Sequence, residues 1–144
     1  MILETEKDVI LIDPMLGDIG IMPSFTLFRH KARKNPTVPL PKNVELILNK
    51  VTHCVITHQH PDHIDSAGIK FLTKNNIPTT CSIKDEKSLI NRGLNITQSL
   101  KYWEKQEFLG GTIEGIPAKH GYGFVAKPMG NVIGFYIKLL KQPM

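Results

Sequence analysis

A short apolar strand that runs straight into a histidine-rich loop constrains this chain more than any other feature. Val55-Ile56 leads into Thr57-His58-Gln59-His60-Pro61-Asp62-His63-Ile64-Asp65, and a helical pattern follows. Three imidazoles and two carboxylates fall within eight residues, a density for which a purely structural turn has little use. Imidazole nitrogens and carboxylate oxygens are the ligands that zinc, manganese and iron accept. At a strand end, residues i and i+2 can both reach forward as the chain turns, so His58 and His60 are expected to hold one metal. Asp62 and His63, further round the loop, are expected to face a second. His30 and His53 stand alone and read as ordinary surface or core histidines.

The flanking pattern alternates strands and helices. Ile2 to Thr5 and Val9 to Ile12 are β-rich runs separated by the polar Glu6-Lys7-Asp8, which predicts a hairpin. Asp13-Pro14 ends the second run, because proline has no N–H to continue a ladder. Residues 14–43 form a long irregular excursion with Pro14, Pro23, Pro36, Pro39 and Pro41. It reads either as a lid or pocket wall or as a packed surface loop. Its basic cluster, Arg29, Lys31, Arg33 and Lys34, reads as a solvated face. Val44 to Leu48 is a short helix or turn. Strands are expected at His53–Thr57, Thr79–Ile83, Gly111–Pro117 and Asn131–Leu140. Helices are expected over Ile64–Lys74, with Asp65 or Ser66 as N-cap, and from an Asp85 cap to about Arg92, stopped by Gly93. The alternation implies a layered α/β domain.

Composition narrows the class. With 144 residues, 41% hydrophobic and 22% charged, the chain suits a single globular domain over residues 1–144. Cys54 and Cys81 are too few for a disulfide framework and lack the spacing of a thiolate zinc site, so both read as buried inert thiols. Apolar runs such as Val9 to Ile12 fall far short of the ~20 residues of a membrane span. The opening Met1-Ile2-Leu3-Glu4 has no signal-peptide character, and a cytoplasmic location is expected. A formal charge of +5 suits nucleic acid or an anionic small molecule. With Trp103 as the single tryptophan and few tyrosines there is no stacking platform, so nucleic acid ranks last.

His58-x-His60-x-Asp62-His63 resembles the signature of the metallo-β-lactamase superfamily. Ile10-Leu11-Ile12-Asp13-Pro14 is similar to the strand-then-Asp motif that precedes it there. Gly115-Ile116-Pro117-Ala118-Lys119-His120-Gly121 is similar to the strand-borne third-histidine motif downstream. The Ile-Asp-Pro and Pro-Ala-x-His forms, with the trailing Gly-Asn-Val-Ile-Gly-Phe-Tyr-Ile, look most like the ascorbate-6-phosphate lactonase-like branch and its N-acylphosphatidylethanolamine phospholipase D-like relatives. The resemblance implies an α/β fold, a partial four-layer αββα metallo-β-lactamase sandwich comprising the N-terminal half. It implies that His58, His60 and His120 bind a first metal and that Asp62 and His63 bind a second. Asp13 would be a buried support that orients the histidine loop. Zinc is the foremost expectation, with manganese and iron as alternatives.

The family pattern continues beyond the strand resembling Asn131–Leu140 with a bridging aspartate and a later histidine, and it starts one strand earlier. Neither ligand follows here, so the chain reads as truncated, with a first site of three histidines plus water and a weak second site. An uncovered sheet face would favour association. The expected function is metal-dependent hydrolysis of a lactone, ester or phosphodiester, with Asp62 orienting water or taking its proton, impaired in this chain. Lys31, Arg33 and Lys34 would draw an anionic substrate group. The alternative is a catalytically inactive metal-binding fragment that needs a complementary C-terminal half.

Overall fold

The computed structural model describes residues 1–24, 31, 33–118 and 132–139. Strands β1 (Ile2–Glu4) and β2 (Val9–Ile12) pair antiparallel. The turn between them is closed by Thr5, whose Oγ1 accepts from Asp8 N at 2.9 Å while Thr5 N donates to Asp8 O at 2.8 Å. After the excursion come α1 (Val44–Leu48), β3 (His53–Val55), α2 (Ser66–Lys74), β4 (Thr79–Ser82), α3 (Glu86–Asn91) and β5 (Ile96–Leu100). Strands β2, β3, β4 and β5 run parallel, giving a five-stranded sheet of order β1-β2-β3-β4-β5. Parallel neighbours need a crossover, and α2 and α3 supply it on either side of β4. Strands β6 (Lys105–Phe108), β7 (Gly111–Ala118) and β8 (Val132–Lys138) form a second, antiparallel sheet of order β6-β7-β8.

The two faces of the large sheet bury two separate cores, as strand alternation requires. Val9, Leu11, Cys54, Ile56 and Cys81 point to the helices, where Ile64, Leu72 and Leu89 meet them. Ile10 and Val55 point the other way and pack with Leu100, Phe108, Ile113 and Ile133 between the sheets. Each such aliphatic side chain contributes roughly 1.5–3 kcal/mol by leaving water. The described residues thus form three layers: helices, the five-stranded sheet and the three-stranded sheet.

Two strands escape the sequence pattern. β5 (Ile-Thr-Gln-Ser-Leu) and β6 (Lys-Gln-Glu-Phe) are too polar to announce themselves. They are joined by side chains instead: Gln98 Nε2 donates to Gln106 Oε1 and to Glu107 O, both at 2.9 Å. The helix over Ile64–Lys74 begins later than expected, at Ser66, with Asp65 as the N-cap. Asp85 stands at the N-cap position of α3, but its side chain makes no cap bond there, contrary to the expectation for that residue. No helix among the described residues is long and apolar enough to cross a membrane.

Because β2, β3 and β4 are parallel, their C-terminal ends share one edge of the sheet. Asp13 follows β2, the histidine loop follows β3 and Asp85 follows β4, so that edge gathers polar groups far apart in sequence. Carboxyl ends of parallel strands are the usual place for ligands in such sheets.

Candidate metal centre

The loop begins where β3 runs out of partners. Ile56 is fully buried and donates to Thr80 O at 2.9 Å, which keeps the chain in the sheet up to Thr57. At Pro61 the backbone turns, and both His63 N and Ile64 N donate to His60 O at 2.9 Å. Ile64, 1% exposed, then plugs into the helix-side core and ends the loop. Asp65 closes it. Its carboxylate accepts from Gly68 N at 2.7 Å, from Leu16 N at 3.2 Å and from Gly17 N at 2.6 Å. One side chain thereby caps α2 and anchors the chain leaving β2.

Asp13 faces the loop from that same segment. Its backbone is left-handed, φ 49°, a conformation that aspartate tolerates better than most side chains. Oδ1 accepts from Thr57 N at 2.8 Å. Oδ2 accepts from Thr57 Oγ1 at 2.8 Å and lies 2.8 Å from His63 Nδ1. A carboxylate only accepts, so the Thr57 hydroxyl and His63 Nδ1 both carry protons toward it. With its hydrogen committed, Thr57 Oγ1 meets His58 Nδ1, 3.1 Å away, as an acceptor. The tautomer that satisfies these contacts carries the proton at Nδ1 of each ring and leaves Nε2 as the acceptor.

His58, Asp62 and His63 each offer a ligand atom, and these atoms lie within 4.8 Å of one another. His58 is buried, His63 half-buried and Asp62 exposed. The His58 ring lies 3.8 Å from that of His63 and 4.6 Å from that of His60, centroid to centroid. Two imidazoles with Nε2 as acceptor and one carboxylate are a donor set that fits a divalent transition metal. His60 stands beside this trio, while His120 lies outside the described residues. Of the basic cluster, Lys31, Arg33 and Lys34 are exposed, and Arg29 lies outside the described residues.

Sequence reasoning assigned no role to Thr57, Gln59 or Ser88. Gln59 Nε2 donates to Asp85 Oδ1 at 2.9 Å, and Gln59 Oε1 accepts from Ser88 Oγ at 2.8 Å. No spacing rule links residues 26 to 29 apart, so these contacts had no signal in the sequence. Burial pushes the Asp85 carboxyl above the ordinary carboxylate range, although Gln59, His60 and Lys84 pull it back. On the small sheet, Ile133 N donates to Thr57 O at 3.2 Å, which brings the start of β8 against the histidine loop. Val132 pairs with Ala118, so the end of β7 lies there too.

Comparison with known proteins shows which family and fold this chain resembles. Residues 9–142 match the family described as the β-lactamase superfamily domain. The UPF0173 protein YddR of Bacillus subtilis (strain 168) is 30% identical over 129 residues, covering 89% of this chain and 50% of that protein. A "possible metal-dependent hydrolase" from Veillonella parvula DSM 2008 superposes with a TM-score of 0.80 at 28% identity, over 93% of this chain and 53% of that one. An isothiocyanate hydrolase from Delia radicum gut bacteria gives 0.77 at 28% identity with the same coverage. The chain spans about half the length of the relatives it matches.

Proposed function

The chain belongs to the metallo-β-lactamase superfamily, and on that premise we propose that its histidine loop holds a divalent metal, zinc foremost, for hydrolysis of a small substrate. The observation that carries this reading is the approach of His58, Asp62 and His63 ligand atoms to within 4.8 Å. His58 and His60 would hold a first ion together with His120. Asp62 and His63 would face a second. His120 follows Ala118 by two residues, and Ala118 ends the strand that lies beside Thr57, which supports its inclusion. A divalent ion held there supplies Lewis acidity and a nucleophile at neutral pH.

The chain's own groups do the rest. Asp13 orients His63 directly and His58 through Thr57, fixing the tautomer that presents Nε2 to the site. Asp62, exposed on the loop, orients the attacking water or accepts its proton. Lys31, Arg33 and Lys34 draw an anionic substrate toward it. Lactones, esters and phosphodiesters are the proposed substrate classes, and the isothiocyanate hydrolase relative adds isothiocyanates to the panel.

The test is metal content by mass spectrometry together with turnover on that panel with zinc or manganese. Metal bound by the parent and lost in His58→Ala, with turnover following it, supports the reading. Parent protein that takes up neither zinc nor manganese overturns it.

A further inference from the structure

Gln59 separates His58 from His60, and both ends of its amide are engaged by α3. Nε2 donates to Asp85 Oδ1 and Oε1 accepts from Ser88 Oγ, at 2.9 and 2.8 Å. Helix α3 is itself fixed, because Leu89 is fully buried in the helix-side core. The histidine loop is thus held from both flanks, by Asp13 at the end of β2 and by α3 beyond the end of β4.

The α3 side of this brace is costly to stability. Asp85 occupies an N-cap position, yet its side chain makes no bond to the helix. It is 9% exposed, and its Oδ2 is buried with no hydrogen-bond partner among the described residues. An under-satisfied buried carboxylate is unfavourable. The Asp85 backbone is itself helical, φ −96° and ψ −14°, so its carboxylate is not turned to its own helix. Instead it reaches 26 residues back in sequence to the residue between two histidines.

We infer that Asp85 and Ser88 are positioning residues, which act through Gln59 to hold the rings of His58 and His60 in their mutual arrangement for metal binding. This rests on the metal-centre reading above. A backbone rotation at residue 59 would change how the rings of His58 and His60 meet, now edge-on at 4.6 Å. Clamping the Gln59 amide at both ends suppresses that rotation.

The experiment compares Gln59→Met, Asp85→Ala, Asp85→Asn and Ser88→Ala in the 144-residue chain. Zinc affinity is read by chelator competition, the ligand field by the visible spectrum of the cobalt(II) form, and the metal-free loop by imidazole NMR. Gln59→Met and Asp85→Ala should lose about 10–100-fold in zinc affinity and alter the cobalt spectrum. Asp85→Asn keeps an oxygen for Gln59 Nε2 and should retain the parent's affinity. Gln59→Met that binds zinc as the parent does overturns the inference. So does Asp85→Asn that falls as far as Asp85→Ala, since charge beside His60 and not the brace would then matter. If Asp85→Ala fails to fold, Gln59→Met decides, because it leaves α3 intact. If the parent takes neither zinc nor manganese, the metal reading fails by itself. The brace is then judged in the metal-free chain: His58 and His60 resonances unmoved by Gln59→Met overturn it, and shifted ones support it.

Discussion

Asp13 Oδ2 lies 2.8 Å from His63 Nδ1, a contact made across fifty residues of chain. The same carboxylate takes both the N–H and the hydroxyl of Thr57. Removing it would leave three donors at the root of the loop without their acceptor. Asp13→Ala should therefore lower zinc affinity by about 10–100-fold and cost about 1–3 kcal/mol of stability. Asp13→Asn should recover only part of this, since an amide cannot accept at both positions. Chelator competition and urea unfolding check both numbers. An Asp13→Ala chain that matches the parent in each would mean the loop is shaped without it.

Asp65 makes a stability prediction that is separable from the metal. It caps α2 through Gly68 N and accepts from Leu16 N and Gly17 N. The lost cap is worth about 1 kcal/mol, and stranded buried N–H groups add roughly 1–3 kcal/mol. Urea unfolding of Asp65→Ala should show a loss near that sum. A loss no larger than a cap would show that water or another group satisfies the residue 16–17 amides.

Gly68 reverses a general rule. In an exposed helix, glycine to alanine ordinarily gains about 0.5–1 kcal/mol. Here a Cβ at residue 68 would collide with the carbonyl oxygen of Pro14, a backbone atom that cannot swing away. Gly68→Ala should instead destabilise by about 1–3 kcal/mol, as overpacking does. Because Pro14 follows Asp13, the same variant should also weaken metal binding. A stabilised Gly68→Ala would show that α2 can slide away from β2.

The cysteines predict the alkaline limb of the stability curve. Burial, then the carboxylates of Asp85 and Glu86, push the Cys81 thiol up to about 12, and burial with Asp13 raises Cys54 still further. An unfolded thiol loses its proton near 9, so above that pH the folded state binds more protons than the unfolded one. The stability is fully present below pH ~9 and falls as pH rises toward 12, by about 1.4 kcal/mol per pH unit for each thiol. Cys81→Ala should flatten that limb by one thiol's share in urea titrations at pH 9–11. Neither thiol should react with a disulfide reagent in the native chain at pH 8. Rapid labelling would mean that the sheet opens locally.

The strands and helices with clean apolar periodicity are legible in the sequence: β2 and β3, α2, and the hairpin of β1 with β2. Strands β5 and β6 are not, because Thr97, Gln98 and Gln106 interrupt the apolar pattern; the glutamine amides instead bridge the two strands across the sheet gap. Asp85 reads as a cap because local spacing makes every aspartate ahead of a helix look like one. Its actual partner, Gln59, lies across the end of β4.

Local chemistry alone determined the residue types of the loop: three imidazoles and a carboxylate, delivered by a strand end and closed by an N-cap at Asp65. Such information is carried by neighbours in the chain, so a sequence displays it. Which imidazole nitrogen faces the site, and what holds each ring, was decided only in three dimensions. Parallel pairing of β2, β3 and β4 brings Asp13, Thr57 and Asp85 to one edge, and hydrogen bonds at 2.8–2.9 Å then select one orientation. Those bonds join residues 26 to 50 positions apart. Their partners are chosen by sheet order and packing, which no local pattern encodes.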